Sequence, residues 1–225
     1  MKKNKTILFT LLVLLLTSCF DDKYEAPPIV YSIVGSYHHD TKQIITDDKL
    51  ILYATNNEVI KFNKNTRVLF HCTLEKIVDE STAEVKIIDI FDISAPLIYI
   101  TEENKELFVE NYAVEFKNWW IRQDYLTIFF YYWREDKKNE HKFFLSINTD
   151  DLEEQEDEKI NLTFHHECNS TKAITLMEYA VSVNILEFKN YFPEKDSVEL
   201  IVSFPVIPTP TDPEKFVKKS IWYKY

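Results

Sequence analysis

This chain reads as all-β, built from two β units in series, and three observations say so. From Ile29 onward, β-branched and aromatic residues alternate with polar ones in runs of roughly 5 to 11 residues, the period of a half-buried strand. Clusters of Asp, Asn and Pro break those runs at the spacing of turns. The 225 residues include one glycine, Gly35, where the usual ~7% would give roughly 16. A Walker loop, a dinucleotide fingerprint and a G-x-S-x-G elbow each need several glycines for close backbone approach or positive φ, so all three are excluded.

The alternation places strands near 29–39, 43–46, 50–54, 67–77 and 84–93 in a first unit. Turns at Thr46-Asp47-Asp48, Asn56-Asn57, Asn63-Lys64-Asn65 and Asp79-Glu80-Ser81 are expected to use Asn and Asp, the residues besides glycine that best tolerate left-handed backbone. One short helix is expected over Glu102–Phe108, capped by Thr101, with Glu102 and Glu103 where the helix dipole favours negative charge. Beyond it, strands near 112–121, 125–134, 141–148, 159–168, 177–188, 197–204 and 218–224 suggest an antiparallel β-sandwich.

The first residues look like an export signal. Lys2, Lys3 and Lys5 precede the apolar run Ile7–Leu16, which is too short to span a ~30 Å hydrocarbon core as a helix. Leu16-Thr17-Ser18-Cys19 resembles the bacterial lipobox, which implies acylation of Cys19, palmitate included, and residues 1–18 as a lipoprotein signal peptide. Several acyl chains exceed the two-signal threshold for stable anchoring, so the mature chain is expected on the outer membrane, on its periplasmic or surface face, without spanning it. Residues 19–28, polar and ending in Pro27-Pro28, read as a tether. The expected organisation is then 29–100 as the first β domain, 101–111 as a helical connector and 112–225 as the sandwich. The formal charge is −11, and loss of the three signal lysines would make it more negative still. That balance argues against nucleic acid as a partner.

The order and spacing of several short segments resemble the NigD-like lipoproteins nearly end to end. They are the lipobox with Asp21-Asp22, Ile88-Asp89-Ile90-Phe91-Asp92-Ile93, Ile100-Thr101-Glu102-Glu103-Asn104, and Trp120-Ile121-Arg122-Gln123-Asp124-Tyr125-Leu126-Thr127. Phe164-His165-His166, Lys195-Asp196-Ser197-Val198 and the terminal Tyr223-Lys224-Tyr225 complete the set. The resemblance implies an OB-like partial barrel before the sandwich, a loose link to bacteriocin production or immunity, and no catalytic residues to carry over. It also implies glycine before Asp124 and in the loop after His166, where this chain has Arg122-Gln123 and Cys168-Asn169-Ser170.

Chemistry-bearing residues are sparse. His38-His39 and His165-His166 invite a zinc reading, but neighbours on a strand face opposite ways and cannot chelate together. His166 reads instead as a hydrogen-bonded core histidine. Asp89 and Asp92 project to opposite faces, against a glycosidase pair, and fit hydrogen bonding at a strand end. The acidic stretch 149–158 lacks the spacing of a calcium loop and reads as a solvated hairpin. Cys72 and Cys168 fall on apolar faces, where buried free thiols are commoner than a disulfide. Asp196-Ser197-Val198 resembles an O-glycosylation pattern, with Ser197 as acceptor.

The expectation is a monomeric, non-enzymatic envelope protein with no metal or cofactor, held to the membrane by lipid and binding a protein or a glycan. The alternative is a glycan-acting hydrolase. Both faces of the strand Tyr125–Trp133 are apolar, although a sandwich strand needs only one apolar face for its core. The resemblance to the NigD-like family implies Leu126, Ile128 and Phe130 inside, which leaves Phe129, Tyr131, Trp133 and Phe144 as an outer aromatic patch, either an interdomain contact or a binding platform.

Overall fold

The computed structural model describes residues 27–101, 112–134, 140–148, 158–168, 175–206 and 216–225. The chain divides into a unit of Met1–Val30 and a unit of Tyr31–Tyr225. Cys19, the proposed helix beyond Thr101 and most of the acidic stretch lie outside the described residues.

Five strands close a barrel: β1 (Val30–His38), β2 (Gln43–Thr46), β3 (Ile51–Ala54), β4 (Thr66–Ile77) and β5 (Thr82–Asp92). Their order, β1-β2-β3-β5-β4 with β3 parallel to β5, is the OB type that the resemblance implied. The alternation explains the core. Val68, Phe70 and Cys72 of β4 point inward with Ile44, Leu52, Val85 and Ile87, all buried, while Leu69 and His71 stay on the outside. Closing a small barrel also brings β1 and β2 very near each other, and Gly35 sits at that approach opposite Thr46.

Among the described residues, eight strands form the sandwich. One sheet has the order β13-β12-β10-β9-β6 and the other β11-β8-β7. The elements are β6 (Leu97–Ile100), β7 (Val114–Arg122), β8 (Tyr125–Arg134), β9 (His141–Asn148), β10 (Lys159–Cys168), β11 (Thr175–Asn184), β12 (Ser197–Pro205) and β13 (Phe216–Lys224). Two pairings, β6 with β9 and β10 with β12, are parallel. Leu126, Ile128 and Phe130 of β8 are fully buried, and Phe130 meets Phe164 of the facing sheet at 4.9 Å.

Three details differ from the sequence reading. Leu97–Ile100, assigned there to the first domain, pairs with β9 and is an edge strand of the sandwich. A four-residue apolar run carries no signal of which sheet it joins. The strand expected to reach residue 188 ends at Asn184, because a 3-10 turn over Leu186–Asn190 tucks Phe188 into the end of the core. Among the described residues, left-handed backbone falls on Lys42, Lys49, Gln123, Asp124 and Glu158 rather than on the asparagines. Asn56 instead uses its side-chain amide as a substitute ladder partner for β5. It donates to the Ile87 carbonyl at 2.8 Å and accepts from the Ile87 N–H at 2.9 Å.

Candidate functional site

The seam between barrel and sandwich is organised by Arg67. Its neighbour Val68 faces the barrel core, so alternation turns Arg67 outward onto the sandwich. There it is 3% exposed and ion-paired with Asp47. Its Nε donates to Ser182 Oγ at 3.1 Å, and one terminal nitrogen donates to Ser36 Oγ at 3.2 Å. The guanidinium carbon stands 4.8 Å from the centre of the Tyr125 ring. The second Asp47 oxygen accepts from Trp120 Nε1 at 2.7 Å, and Ser182 Oγ lies 2.9 Å from Thr127 Oγ1. Every charged or polar atom here finds a partner, as a buried pair requires. Around the network pack Val34, Ile93 and Ala180 with Leu69, Trp120 and Phe129.

The β7–β8 turn adds a contact. Gln123 and Asp124 both have positive φ, 49° and 64°, so Gln123 holds the conformation where the family pattern has glycine. Its side-chain nitrogen donates to the Thr46 carbonyl of the barrel at 3.1 Å. Burial pushes the Asp124 carboxyl up, but the Lys189 ammonium at 2.8 Å and the Tyr223 hydroxyl at 2.6 Å outweigh it, and the net shift is downward.

The aromatic stripe on the outer face of β8 is divided by this seam. Phe129 lies in the interdomain cluster, stacked on Trp120 with ring centres 5.1 Å apart. Tyr131, one step along, sits beneath Lys117, whose Nζ is 5.0 Å from the ring centre and 2.5 Å from Glu178. Trp133, two residues further, is 46% exposed and pairs across the strands with Leu176, itself 43% exposed. Tyr131, Trp133 and Leu176 open into a groove of about 350 Å³ whose floor includes Phe116 and Phe204 and whose rim includes Lys219. Phe144 does not join them. It lies on β9 of the other sheet, 5% exposed and stacked on His165 at 4.6 Å. Sequence alternation separates the faces of one strand, but it does not say which strands share a sheet.

The remaining sequence candidates resolve individually. His165 and His166 do face opposite ways: His165 Nε2 is 2.7 Å from Ser146 Oγ, and His166 Nε2 is 2.9 Å from His141 Nδ1. Asp92 accepts from the Ser94 N–H at 2.8 Å, and Asp89 lies 3.7 Å from His71. Cys72 and Cys168 are free thiols, and burial raises the Cys72 pKa. Ser197 opens β12, half-buried, opposite Lys224. Among the described residues no cluster of His, Cys, Asp and Glu could hold a metal ion.

Burial pushes His165 and His166 down to about 4, with the neighbouring His141 adding to the effect on His166. The unfolded chain, with histidines near 6.5, therefore takes up protons first as the pH falls. The stability tied to these rings is complete above pH ~6.5 and drains away toward pH 4, by up to about 1.4 kcal/mol per pH unit for each histidine. Urea midpoints at pH 7, 5.5 and 4.5 measure that slope. A His166→Gln variant with an unchanged slope would clear this ring of the effect.

Residues 96–204 match the family described as the NigD-like C-terminal beta sandwich domain. The match begins just before β6, in keeping with its pairing in the sandwich. No curated protein sequence matches the chain. Several crystal structures share its fold. A NigD-like immunity protein from Bacteroides caccae is 13% identical with a TM-score of 0.65, covering 89% of this chain and 99% of that one. A candidate lipoprotein from Bacteroides fragilis is 11% identical with a TM-score of 0.65, covering 88% and 98%. A candidate toxin-related protein from Parabacteroides distasonis is 18% identical with a TM-score of 0.61, covering 87% and 94%.

Proposed function

Because this chain is NigD-like, carrying that family's C-terminal beta sandwich domain over residues 96–204, we propose that it works without catalysis, as a lipid-anchored envelope protein that captures a partner protein. The observation that carries this reading is the exposed end of the β8 stripe. Trp133 and Leu176 remain in water, beside a groove also lined by Lys219 and Glu115. Tryptophan anchors in such grooves contribute a large share of protein–protein binding energy. The fold neighbour from Bacteroides caccae is named an immunity protein. By that analogy the partner is a secreted antibacterial protein acting at the same envelope.

Anchoring rests on Cys19, and among the described residues no helix is long and apolar enough to cross a membrane. Cys19→Ala should move the protein from the outer-membrane fraction to the soluble one, and an unchanged distribution would remove the anchor from the proposal. A photo-cross-linking residue placed at Leu176 in cells should give one discrete adduct, lost when Trp133 becomes alanine. The same residue at Ile77, an exposed barrel position, is the control. Equal adducts at both positions would refute the groove as the capture site. Binding to a glycan array that disappears in Trp133→Ala would favour a sugar over a protein.

A further inference from the structure

At one end the barrel is apolar to its lip and beyond it. The inward row of β4 runs Val68, Phe70, Cys72, Leu74, and a bulge between Leu74 and Lys76 resets the alternation so that Ile77 lines the same opening. The first three side chains are core, but Leu74 is 44% exposed and Ile77 69%. Two other strands overrun the core in the same way. Tyr31 continues the Ile33 side of β1 and Leu50 precedes Leu52 of β3 on its side, each 42% exposed. Together they ring a mouth of about 310 Å³ whose buried lining includes Leu52, Cys72 and Val85. A barrel this small is filled by its own side chains, so four large apolar residues left standing around one opening call for a cover.

Two observations point to what the cover is. Ten residues separate Cys19 from Val30, where β1 begins and leads into Tyr31 at the lip. Fully extended, that stretch reaches about 35 Å, so an acylated Cys19 keeps the lip close to the bilayer and at high effective concentration against it. The charge at the mouth is the second observation. Asp79 and Glu80 of the β4–β5 turn line it, and no lysine, arginine or histidine does so among the described residues. Carboxylates repel fatty acids and anionic lipids but accept hydrogen bonds from the ammonium of a zwitterionic headgroup.

We propose that the open end of the barrel is seated on a zwitterionic phospholipid surface, an inference that rests on the anchoring of Cys19. Leu50, Leu74 and Ile77 enter the boundary between headgroups and acyl chains, and Asp79 and Glu80 meet the ammonium groups. Tyr31 stays at headgroup level, where aromatic rings with a polar end concentrate. The protein is then held at two points and presents itself in a set orientation. Lipid at Ile77 yields no protein adduct, as the control at that position requires.

The test uses the full-length lipoprotein with a benzophenone amino acid at Ile77, reconstituted in phosphatidylcholine vesicles, floated, irradiated and weighed intact by mass spectrometry. The reference carries the same residue at Ile88, an exposed β5 position that does not line the mouth. Lipid adducts at Ile77 should exceed those at Ile88 by at least about fivefold, and Leu50→Ser with Leu74→Ser should remove most of that excess while flotation is unchanged. Adding phosphatidylglycerol to the vesicles should not raise the yield. Flotation reads the anchor and the adducts read the mouth, so the two fail separately. A floating protein with equal adducts at the two positions overturns the proposal and leaves the anchor standing. So does a covalent dimer in place of lipid adducts, which would make a second copy the occupant, or a yield that rises with anionic lipid. A chain that does not float removes the anchor, and this inference with it.

Discussion

Arg67→Met lowers the unfolding free energy by roughly 3 to 5 kcal/mol, the cost of stranding one member of a buried ion pair. The side chain is 1% exposed and its partner Asp47 11%, so water cannot take over the lost contacts. Ser182 and Ser36 lose a donor at the same time, and Asp47 keeps only the Trp120 indole N–H. The magnitude belongs to the unpaired carboxylate more than to the pair. Arg67→Met combined with Asp47→Asn should therefore cost clearly less than the two single changes added together. Urea titrations of the three variants and the parent form the cycle, with Trp120 as a fluorophore inside the network. A single-variant loss below about 1 kcal/mol would mean that the seam is held by its apolar cluster alone.

Gly35→Ala is expected to cost about 3 kcal/mol, the upper end of the range for overpacking a rigid site. The reason is space rather than backbone angle, since no glycine in the chain has positive φ. A Cβ at this position would stand 2.7 Å from the Ile45 carbonyl oxygen, 3.1 Å from Ile44 Cγ2 and 3.1 Å from the Thr46 Cα. Two of those atoms are backbone and cannot rotate away, so β1 and β2 must part. The displaced segment leads into Asp47, the partner of Arg67, so Gly35→Ala and Arg67→Met should be strongly non-additive despite lying on different strands. Thermal unfolding of the two variants and the double variant tests this. Simple additivity would confine the effect of Gly35 to the barrel.

How much was legible beforehand can be followed residue by residue. Alternation located β8 to the residue and separated Leu126, Ile128 and Phe130 from Phe129, Tyr131 and Trp133, because pleating forces successive side chains onto opposite faces whatever the fold, while the family resemblance chose which set lies inside. The same rule exposed the surplus apolar face of β8. It could not divide that face into the covered Phe129, the lysine-shielded Tyr131 and the open Trp133, because the boundary is set by where a barrel some 60 residues earlier comes to rest. Nothing in the sequence joins Arg67, Asp47 and Trp120 into one network, for a related reason. In sequence each is an ordinary polar or aromatic residue on a strand or turn, and only their convergence makes a buried network. A charged residue directly beside a run as apolar as Val68-Leu69-Phe70 was the one available hint.

The sequence alone determined that this protein is all-β and which side chains of each strand share a face. Those properties follow from local period and composition, which act over a few residues. Tertiary structure decided the rest: that Leu97–Ile100 completes the sandwich, that Phe144 leaves the aromatic patch, and that barrel and sandwich are locked through Arg67. Each depends on contacts between residues far apart in the chain. Their energies come from desolvation and packing that exist only once both partners are in place.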